Sequence, residues 1–261
     1  MRSMLAAGGQ IAIPPETQIF PKLPVKYLAF HNLGWVDLCK QIVSEFESSN
    51  NFYTWEINTI SAYQELINLP PTERSLARII QIIMMEYAKE KFPHANMWGD
   101  QSPINTFYLP YIRKTFPQAR YLHLVRDGRD VISSMVKRHG EAYLDEAIFR
   151  WNNSIHRIHT FQKKIKLENF IEIRYEDLVQ RPQDTLTRVA RFINIDYSQE
   201  MLEFWKAPST IEHKYHDFHK NLEKPVFTSS IGAWKERLTP DQQQYIASKI
   251  SRYLQETGYP V

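Results

Sequence analysis

Two arginines and a serine in the stretch Tyr121–Arg138 have the types and spacing that suit a bound phosphate group. Arg126 follows an apolar, strand-like run, and a helix is predicted just after it. In that helix Asp130, Ser134 and Arg138 lie four residues apart and form one polar stripe. Parallel α/β sheets bind ligands at the carboxyl ends of their strands, so we expect Arg126, Ser134 and Arg138 to meet in one crevice. Two guanidinium groups and a hydroxyl there suit phosphate.

The same stretch has a simpler interpretation, in which its charges form ordinary surface ion pairs and Ser134 is an unremarkable helix residue. Asp127 can cap the helix, and Asp130 strengthens that signal. The apolar residues with helical spacing, expected to face the sheet, are Val131, Ile132, Met135 and Val136. From these residues alone both interpretations stay open.

Strands that alternate with long helices predict an α/β fold with a parallel sheet. The expected strands are Gln10–Ile13, a strand end near Trp98, Tyr121–Val125 and Phe170–Tyr175. The expected helices are Arg2–Ala7, Trp35–Phe46, Ser75–Lys91, Asn105–Phe116, the run Leu144–Ile165, Gln183–Phe192 and a last helix from Pro240 to about Thr257.

Length and composition exclude several classes of protein. With 261 residues and a formal charge of +3, we expect one large domain over 1–261 and no general nucleic-acid binder. Cys39 is the only cysteine, so neither a disulfide framework nor a cysteine metal site is expected. The sequence has no apolar run of membrane-spanning length and no recognisable secretory signal, and we therefore expect a cytoplasmic protein.

The Tyr121–Arg138 unit resembles the 3′-phosphate-binding motif of sulfotransferases that use PAPS (3′-phosphoadenosine 5′-phosphosulfate). Three further segments are similar to parts of that family and occur in its order: Arg2–Leu23, Arg174–Pro182 and Thr228–Leu238. The first is most similar to the tyrosylprotein sulfotransferase branch. The resemblance implies a P-loop-type three-layer α/β fold with a parallel sheet flanked by helices. It also implies transfer of a sulfuryl group from PAPS to a hydroxyl.

The resemblance implies that Arg126, Ser134 and Arg138 hold the 3′-phosphate of PAPS. Tyr175 matches a tyrosine that lies against the cofactor, although a strand-end aromatic packed on the core is an equal alternative. The residues that fall in the loop expected to close over the nucleotide are Ser229, Ser230 and Lys235. Lys235 is the more plausible phosphate contact of these, and a solvated lysine is an equally good interpretation.

Glu16 matches the glutamate that serves as catalytic base in the tyrosylprotein branch. The acceptor hydroxyl must lose its proton as it attacks, and a positioned carboxylate can take that proton. The alternative is an exposed loop carboxylate. Gln101 stands where the family tends to have a lysine, so it can donate a hydrogen bond but adds no charge.

The family's phosphosulfate loop, of the form Arg-Ser-Gly-Thr-Thr after a strand, is not found in the 261 residues. By the resemblance it would lie just before Met1, so we expect a domain that lacks its first strand and phosphate loop. An internal methionine taken as the start and a truncated gene both explain this. The activity of these residues alone is therefore open, and a degenerate paralogue that binds nucleotide or a partner without catalysis is the alternative. A kinase-like enzyme would need a phosphate loop with lysine.

The acceptor cannot be assigned from these residues, and a peptide tyrosine, a carbohydrate and a small alcohol are all open. A trio of histidines, His213, His216 and His219, has no recognisable metal-ligand pattern. We expect it to belong to a basic, aromatic loop on the acceptor side, which could favour acidic acceptors.

Overall fold

A computed structural model describes residues 1–206 and 224–261. The chain divides into two compact units, each built from two stretches of sequence. The first unit consists of Met1–Ala119 and Leu186–Pro225, and the second of Arg120–Thr185 and Val226–Val261. A single sulfotransferase-like domain over 1–261 stays a prediction.

In the described residues the strands are β1 Ile11–Ala12, β2 Met97–Trp98, β3 Tyr121–Val125 and β4 Phe170–Arg174. The helices are α1 Arg2–Ala7, α2 Leu23–Ala29, α3 Trp35–Glu47, α4 Ile60–Ile67, α5 Leu76–Lys91, α6 Leu109–Thr115, α7 Gly128–His139, α8 Leu144–Gln162, α9 Tyr175–Gln180, α10 Pro182–Ile193, α11 Trp234–Arg237 and α12 Pro240–Glu256. Short 3₁₀ turns lie between several of them.

The strands pair in parallel within each unit. In the first unit β1 pairs with β2, with Ile11 beside Met97 and Ala12 beside Trp98. In the second unit β3 pairs with β4 over five residues, from Tyr121 beside Phe170 to Val125 beside Arg174. Parallel pairing with helical crossovers confirms the predicted α/β class.

The core of the first unit forms around α5, where an apolar face at helical spacing is buried. Ile79, Ile80 and Ile83 are fully buried, and Tyr87 is 3% exposed. The helix begins at a genuine cap, because the Ser75 hydroxyl accepts a hydrogen bond from the backbone N–H of Arg78. Helices α3 and α4 pack with α5, which holds the short β1–β2 pair in place.

The core of the second unit lies where α7, α8 and α12 pack together. Gly128, the first residue of α7, allows this close approach. A Cβ at Gly128 would lie 2.7 Å from Cε2 of Trp151 and 2.9 Å from Cδ1 of Ile250. Because a tryptophan ring cannot be moved cheaply in a packed core, the position excludes larger residues.

One predicted helix differs from the structure, and some of the observed helices were not predicted. The helix expected over Asn105–Phe116 is instead a 3₁₀ turn at Pro103–Phe107 followed by α6. Pro110 explains the break, because it lacks an N–H and is tolerated only in the first turn of a helix. Helix α2 was not predicted, since its exposed Val25 and Leu28 give it no clear apolar face.

In each unit, hydrogen bonds join residues that are far apart in the sequence. In the first unit the Gln10 side chain makes two hydrogen bonds to the backbone of Asp196, at 3.0 and 3.1 Å. In the second unit the Tyr259 hydroxyl donates to Oε2 of Glu176 at 2.6 Å. Within residues 1–206 and 224–261, no helix combines the length and apolar character needed to cross a membrane.

Candidate functional site

A small cleft of about 170 Å³ in the second unit brings together the three residues predicted to bind phosphate. Arg126 lies at the end of β3, and Ser134 and Arg138 project from α7. The lining residues are Arg126, Val131, Ser134, Met135, Arg138 and His139. The two arginines and the serine hydroxyl make this cleft suited to an oxyanion.

The Arg126 side chain is fixed by contacts with Ser230 and Tyr175. Its Nη2 donates to the carbonyl oxygen of Ser230 at 2.6 Å, and its guanidinium lies 4.5 Å from the centre of the Tyr175 ring. Its Nε is buried and has no hydrogen-bond partner among the described residues. A buried donor without a partner costs free energy, so the packing around Nε contributes strain to this site.

The stretch after residue 226 contributes Ser230 to this site. The Ser230 hydroxyl lies 2.8 Å from the hydroxyl of Tyr175. By contrast, Ser229 and Lys235, the residues predicted to bind cofactor here, have exposed side chains. The Lys235 ammonium lies 5.9 Å from the ring centre of its neighbour Trp234.

Asp130, predicted on one polar stripe with Ser134 and Arg138, is covered by another segment of the chain. Asp130 has 0% exposure. Its Oδ2 accepts from the backbone N–H of Gly232 at 2.8 Å, and its Oδ1 accepts from that of Trp234 at 3.0 Å. No local pattern signals this role, because the contacts join residues about one hundred positions apart.

The apolar residues of α7 also divide differently from the prediction. Ile132 and Val136 are buried as expected, whereas Val131 and Met135 are half-buried and line the cleft. These two side chains therefore give the cleft an apolar wall beside its charged residues.

The charges do form ion pairs, Arg129 with Asp127 and, at 3.9 Å, Arg126 with Asp130, but both aspartates are buried and neither pair is a surface pair. Asp127 caps α7 by accepting from the backbone N–H of Arg129, and it also binds the Arg129 guanidinium through both oxygens, at 3.0 and 2.8 Å. Asp127 is 9% and Arg129 8% exposed. Since Asp127 is already bound by Arg129, it does not occupy Arg126.

Glu16, the predicted catalytic base, lies in the first unit in the loop that follows β1. Its side chain is half-buried, and its Oε2 accepts from Nε2 of Gln18 at 3.1 Å. The loop is anchored by Ser102, whose Oγ accepts from the backbone N–H groups of Thr17 and Gln18 at 3.0 and 3.2 Å. The loop therefore has a defined path although it contains no regular structure.

Asp100 supports the Ser102 anchor from the turn after β2. It accepts from the Ser102 hydroxyl at 3.0 Å and from the Asn105 amide at 2.6 Å. Burial raises the pKa of the Asp100 carboxyl, and these hydrogen bonds oppose part of that rise. Gln101, between Asp100 and Ser102, is exposed.

Glu16 and Gln101 follow neighbouring parallel strands, and their loops therefore leave the same edge of the β1–β2 pair. At such an edge a carboxylate can accept, and an amide N–H can donate, a hydrogen bond to a polar ligand. The predicted residues thus fall into two groups, Glu16 in the first unit and the cleft residues in the second.

The histidine trio lies outside the described residues. Within the described residues, no group of three or more histidine, cysteine, aspartate or glutamate side chains could hold a metal ion.

Curated relatives match this chain over much of its length. Protein-tyrosine sulfotransferase 1 of Danio rerio is 26% identical over 199 residues, which make up 72% of this chain and 55% of the relative. Protein-tyrosine sulfotransferase of Drosophila melanogaster is 23% identical over 269 aligned residues, 99% of this chain and 48% of the relative. The chain thus spans about half the length of these relatives.

Among solved structures, the sulfotransferase domain from the Synechococcus PCC 7002 olefin synthase superposes with a TM-score of 0.64. The two share 18% identity, and the match covers 96% of this chain and 88% of that domain. This likeness confirms the predicted fold, an α/β fold of the sulfotransferase type. A family model described as Sulfotransferase family matches residues 1–199, so the chain belongs to the sulfotransferase family.

Proposed function

We propose that this chain carries out enzymatic transfer of a sulfuryl group from PAPS to a hydroxyl acceptor. The observation that carries the proposal is the cleft of the second unit, lined by Arg126, Ser134 and Arg138. The Arg126 guanidinium has five N–H donors, of which Nη2 donates to the Ser230 carbonyl, so the cleft has cationic donors for an anion.

The residues of the cleft fit the 3′-phosphate of PAPS. A phosphate taken out of water needs fixed cationic donors, and Arg126 is held in place by Ser230 and Tyr175. Arg138 and the Ser134 hydroxyl add donors from α7. Tyr175, Ser229 and Lys235 are proposed as further cofactor contacts, of which Ser229 and Lys235 would have to be covered by the bound nucleotide.

When bound, PAPS supplies the activated sulfuryl group that is transferred. The Glu16 carboxylate is proposed to take the proton from the acceptor hydroxyl as that oxygen attacks. Gln18, which donates to Glu16, helps to orient this carboxylate. Gln101 can donate a hydrogen bond to developing negative charge, with less effect than a lysine would have.

A tyrosine side chain in a peptide is the proposed acceptor. The support is that the matched relatives are named protein-tyrosine sulfotransferases. Carbohydrate and small alcohols are the alternatives that an acceptor panel would distinguish. The cytoplasmic location expected from the sequence, and the absence of a nucleic-acid partner, stay predictions.

A second candidate function is nucleotide binding without catalysis. Gln101 favours it, because an uncharged side chain stands where the family tends to place lysine. The two candidates share the phosphate cleft and differ only in whether sulfate is transferred.

Calorimetric titration with PAP, the desulfated cofactor, tests the cleft. We expect weak but measurable binding that is abolished in Arg126→Ala. Arg150→Ala is the matched control, since Arg150 lies on the exposed side of α8 in the same unit and pairs with Glu146. Absence of PAP binding to the unaltered chain would overturn the phosphate assignment.

Transfer of radiolabelled sulfate to tyrosine peptides then separates the two functions. Measurable transfer supports the enzyme. PAP binding with no transfer to any acceptor supports the second candidate, and in that case Gln101→Lys is the first variant to test for a gain of activity.

A further inference from the structure

The segment 228–238 is held against the start of α7 by a buried carboxylate. Asp130 has 0% exposure, and its two oxygens accept the backbone N–H groups of Gly232 and Trp234 at 2.8 and 3.0 Å. A carboxylate so fully covered is favourable only while its hydrogen bonds are made. The seating of the segment and the burial of Asp130 therefore depend on each other.

The same segment also contacts the arginine that lines the phosphate cleft. Arg126 donates to the Ser230 carbonyl at 2.6 Å, and its Nη2 lies 3.9 Å from Oδ2 of Asp130. Three alternate residues of the segment, Ser230, Gly232 and Trp234, are thus held by side chains from a single turn. Of these side chains, Arg126 alone also lines the cleft.

Two further features fix the shape of this segment. Gly232 has a φ of +71°, a conformation that side chains rarely adopt, and a Cβ there would meet no atom within 4 Å. The Trp234 ring lies under the Arg129 guanidinium at 4.5 Å. The backbone turn at Gly232 is therefore needed to bring both N–H groups onto Asp130.

We propose that Asp130 is a positioning residue that couples phosphate binding at Arg126 to the seating of the 228–238 segment. This inference rests on the proposed function of the cleft. Asp130 itself does not line the cleft and touches no ligand there. It holds the segment whose Ser230 carbonyl orients Arg126, so the loss of either contact misplaces the guanidinium. Because such coupling is reciprocal, phosphate binding must in turn stabilise the segment.

Hydrogen exchange of the full chain with and without PAP tests this coupling. We expect PAP to slow exchange of the Gly232 and Trp234 amides, read in peptides that span 228–238. Peptides from helix α5, in the first unit, serve as the internal reference. Slowing in 228–238 that is as large in Asp130→Asn as in the unaltered chain would come from direct contacts of the nucleotide with the segment and would contradict the coupling through Asp130.

Two variants test the coupling, one on helix α7 and one on the 228–238 segment. Asp130→Asn leaves one acceptor for the two N–H groups, and Gly232→Ala strains the segment without altering α7. We expect each to weaken PAP binding by about 10-fold, within the usual range of coupling between sites. Gly258→Ala is the matched control, because Gly258 has a φ of +75° and equally open surroundings.

The outcomes are distinct. If the unaltered chain binds PAP but both variants bind it as tightly, or if PAP leaves exchange in 228–238 unchanged, the coupling is wrong while the cleft assignment stands. If the unaltered chain does not bind PAP, the proposed function itself fails. Circular dichroism reports folding, and if Asp130→Asn does not fold, Gly232→Ala decides.

Discussion

At the end of β3 the chain turns directly into a capped helix, whereas at the end of β1 it enters a loop with no regular structure. The β3 end is fixed by charged groups, with Asp127 bound to Arg129 and Asp130 fully buried. The β1 loop is anchored by neutral groups, the Ser102 hydroxyl and the Trp55 indole N–H, which donates to the Pro15 carbonyl. The difference indicates that the cleft residues are placed by a local strand–turn–helix unit, whereas the position of Glu16 relies on contacts from distant parts of the chain.

Removing the negative charge of Glu16 should have the largest effect on the rate of sulfate transfer and no effect on the affinity for PAP. A general base contributes about 10²–10⁴-fold to rate, so Glu16→Gln is expected to lower sulfate transfer by that order. PAP affinity, measured by calorimetry, should stay unchanged. Glu90→Gln, at an exposed position of α5, is the control. A loss of PAP affinity in Glu16→Gln would show that the two groups do not have separate roles.

Crowding the start of α7 should strongly destabilise the second unit. Gly128→Ala places a methyl group against Trp151, and overpacking of this kind costs about 3 kcal/mol. Gly34→Ala in the first unit meets no atom within 4 Å and should cost less than about 1 kcal/mol. Urea unfolding measures both, and equal stabilities would contradict the close packing at Gly128.

Removing the Ser102 hydroxyl should loosen the β1 loop. Ser102→Ala leaves the N–H groups of Thr17 and Gln18 without their acceptor, at a cost of about 1–2 kcal/mol. Transfer should fall while PAP affinity stays the same. Ser48→Ala is the control, since the exposed Ser48 hydroxyl bonds only the carbonyl at the end of its own helix. Unchanged transfer in Ser102→Ala would show that the loop is held by other means.

The smallest expected effects are opposite pH dependences in the two units. Burial raises the pKa of Asp100, so protonated Asp100 favours folding and its contribution is lost as the pH rises above about 3.8. The hydrogen bond from His123 lowers the pKa of Glu172, so ionised Glu172 favours folding and its contribution is lost as the pH falls below about 4.5.

Urea unfolding between pH 3 and 6 measures this contrast. Asp100→Asn should make the free energy of unfolding rise more steeply with pH, and Glu172→Gln should make it rise less steeply. Slopes that change in the same direction would contradict the assignment of opposite shifts.

The sequence predicted the β3–α7 corner well because its signals are local. An apolar run, a capping aspartate and a regular helical spacing together indicated strand, turn and helix within Tyr121–Arg138. The grouping of Arg126, Ser134 and Arg138 follows from that geometry, and the structure brings them together. Their role in binding cofactor stays a prediction.

The supports of the site could not be predicted from the sequence, because they join distant parts of the chain. Ser102 reaches Thr17 across 85 positions, and Asp130 reaches Gly232 across 102. The same spacing that placed Asp130 on a polar stripe cannot show that another segment covers it. Ser229 and Ser230 were both expected in the covering loop, and only the backbone path decides which of the two neighbouring hydroxyls faces Tyr175.

The hydrogen bonds between Gln10 and the backbone of Asp196 can form only late in the synthesis of the chain. They join positions 186 residues apart, so a chain growing on the ribosome contains Gln10 long before Asp196 is made. The corresponding contact of the second unit forms later still, because Tyr259 must emerge before its hydroxyl can donate to Glu176. The nascent chain therefore exposes apolar surface of each unit until these late residues have emerged.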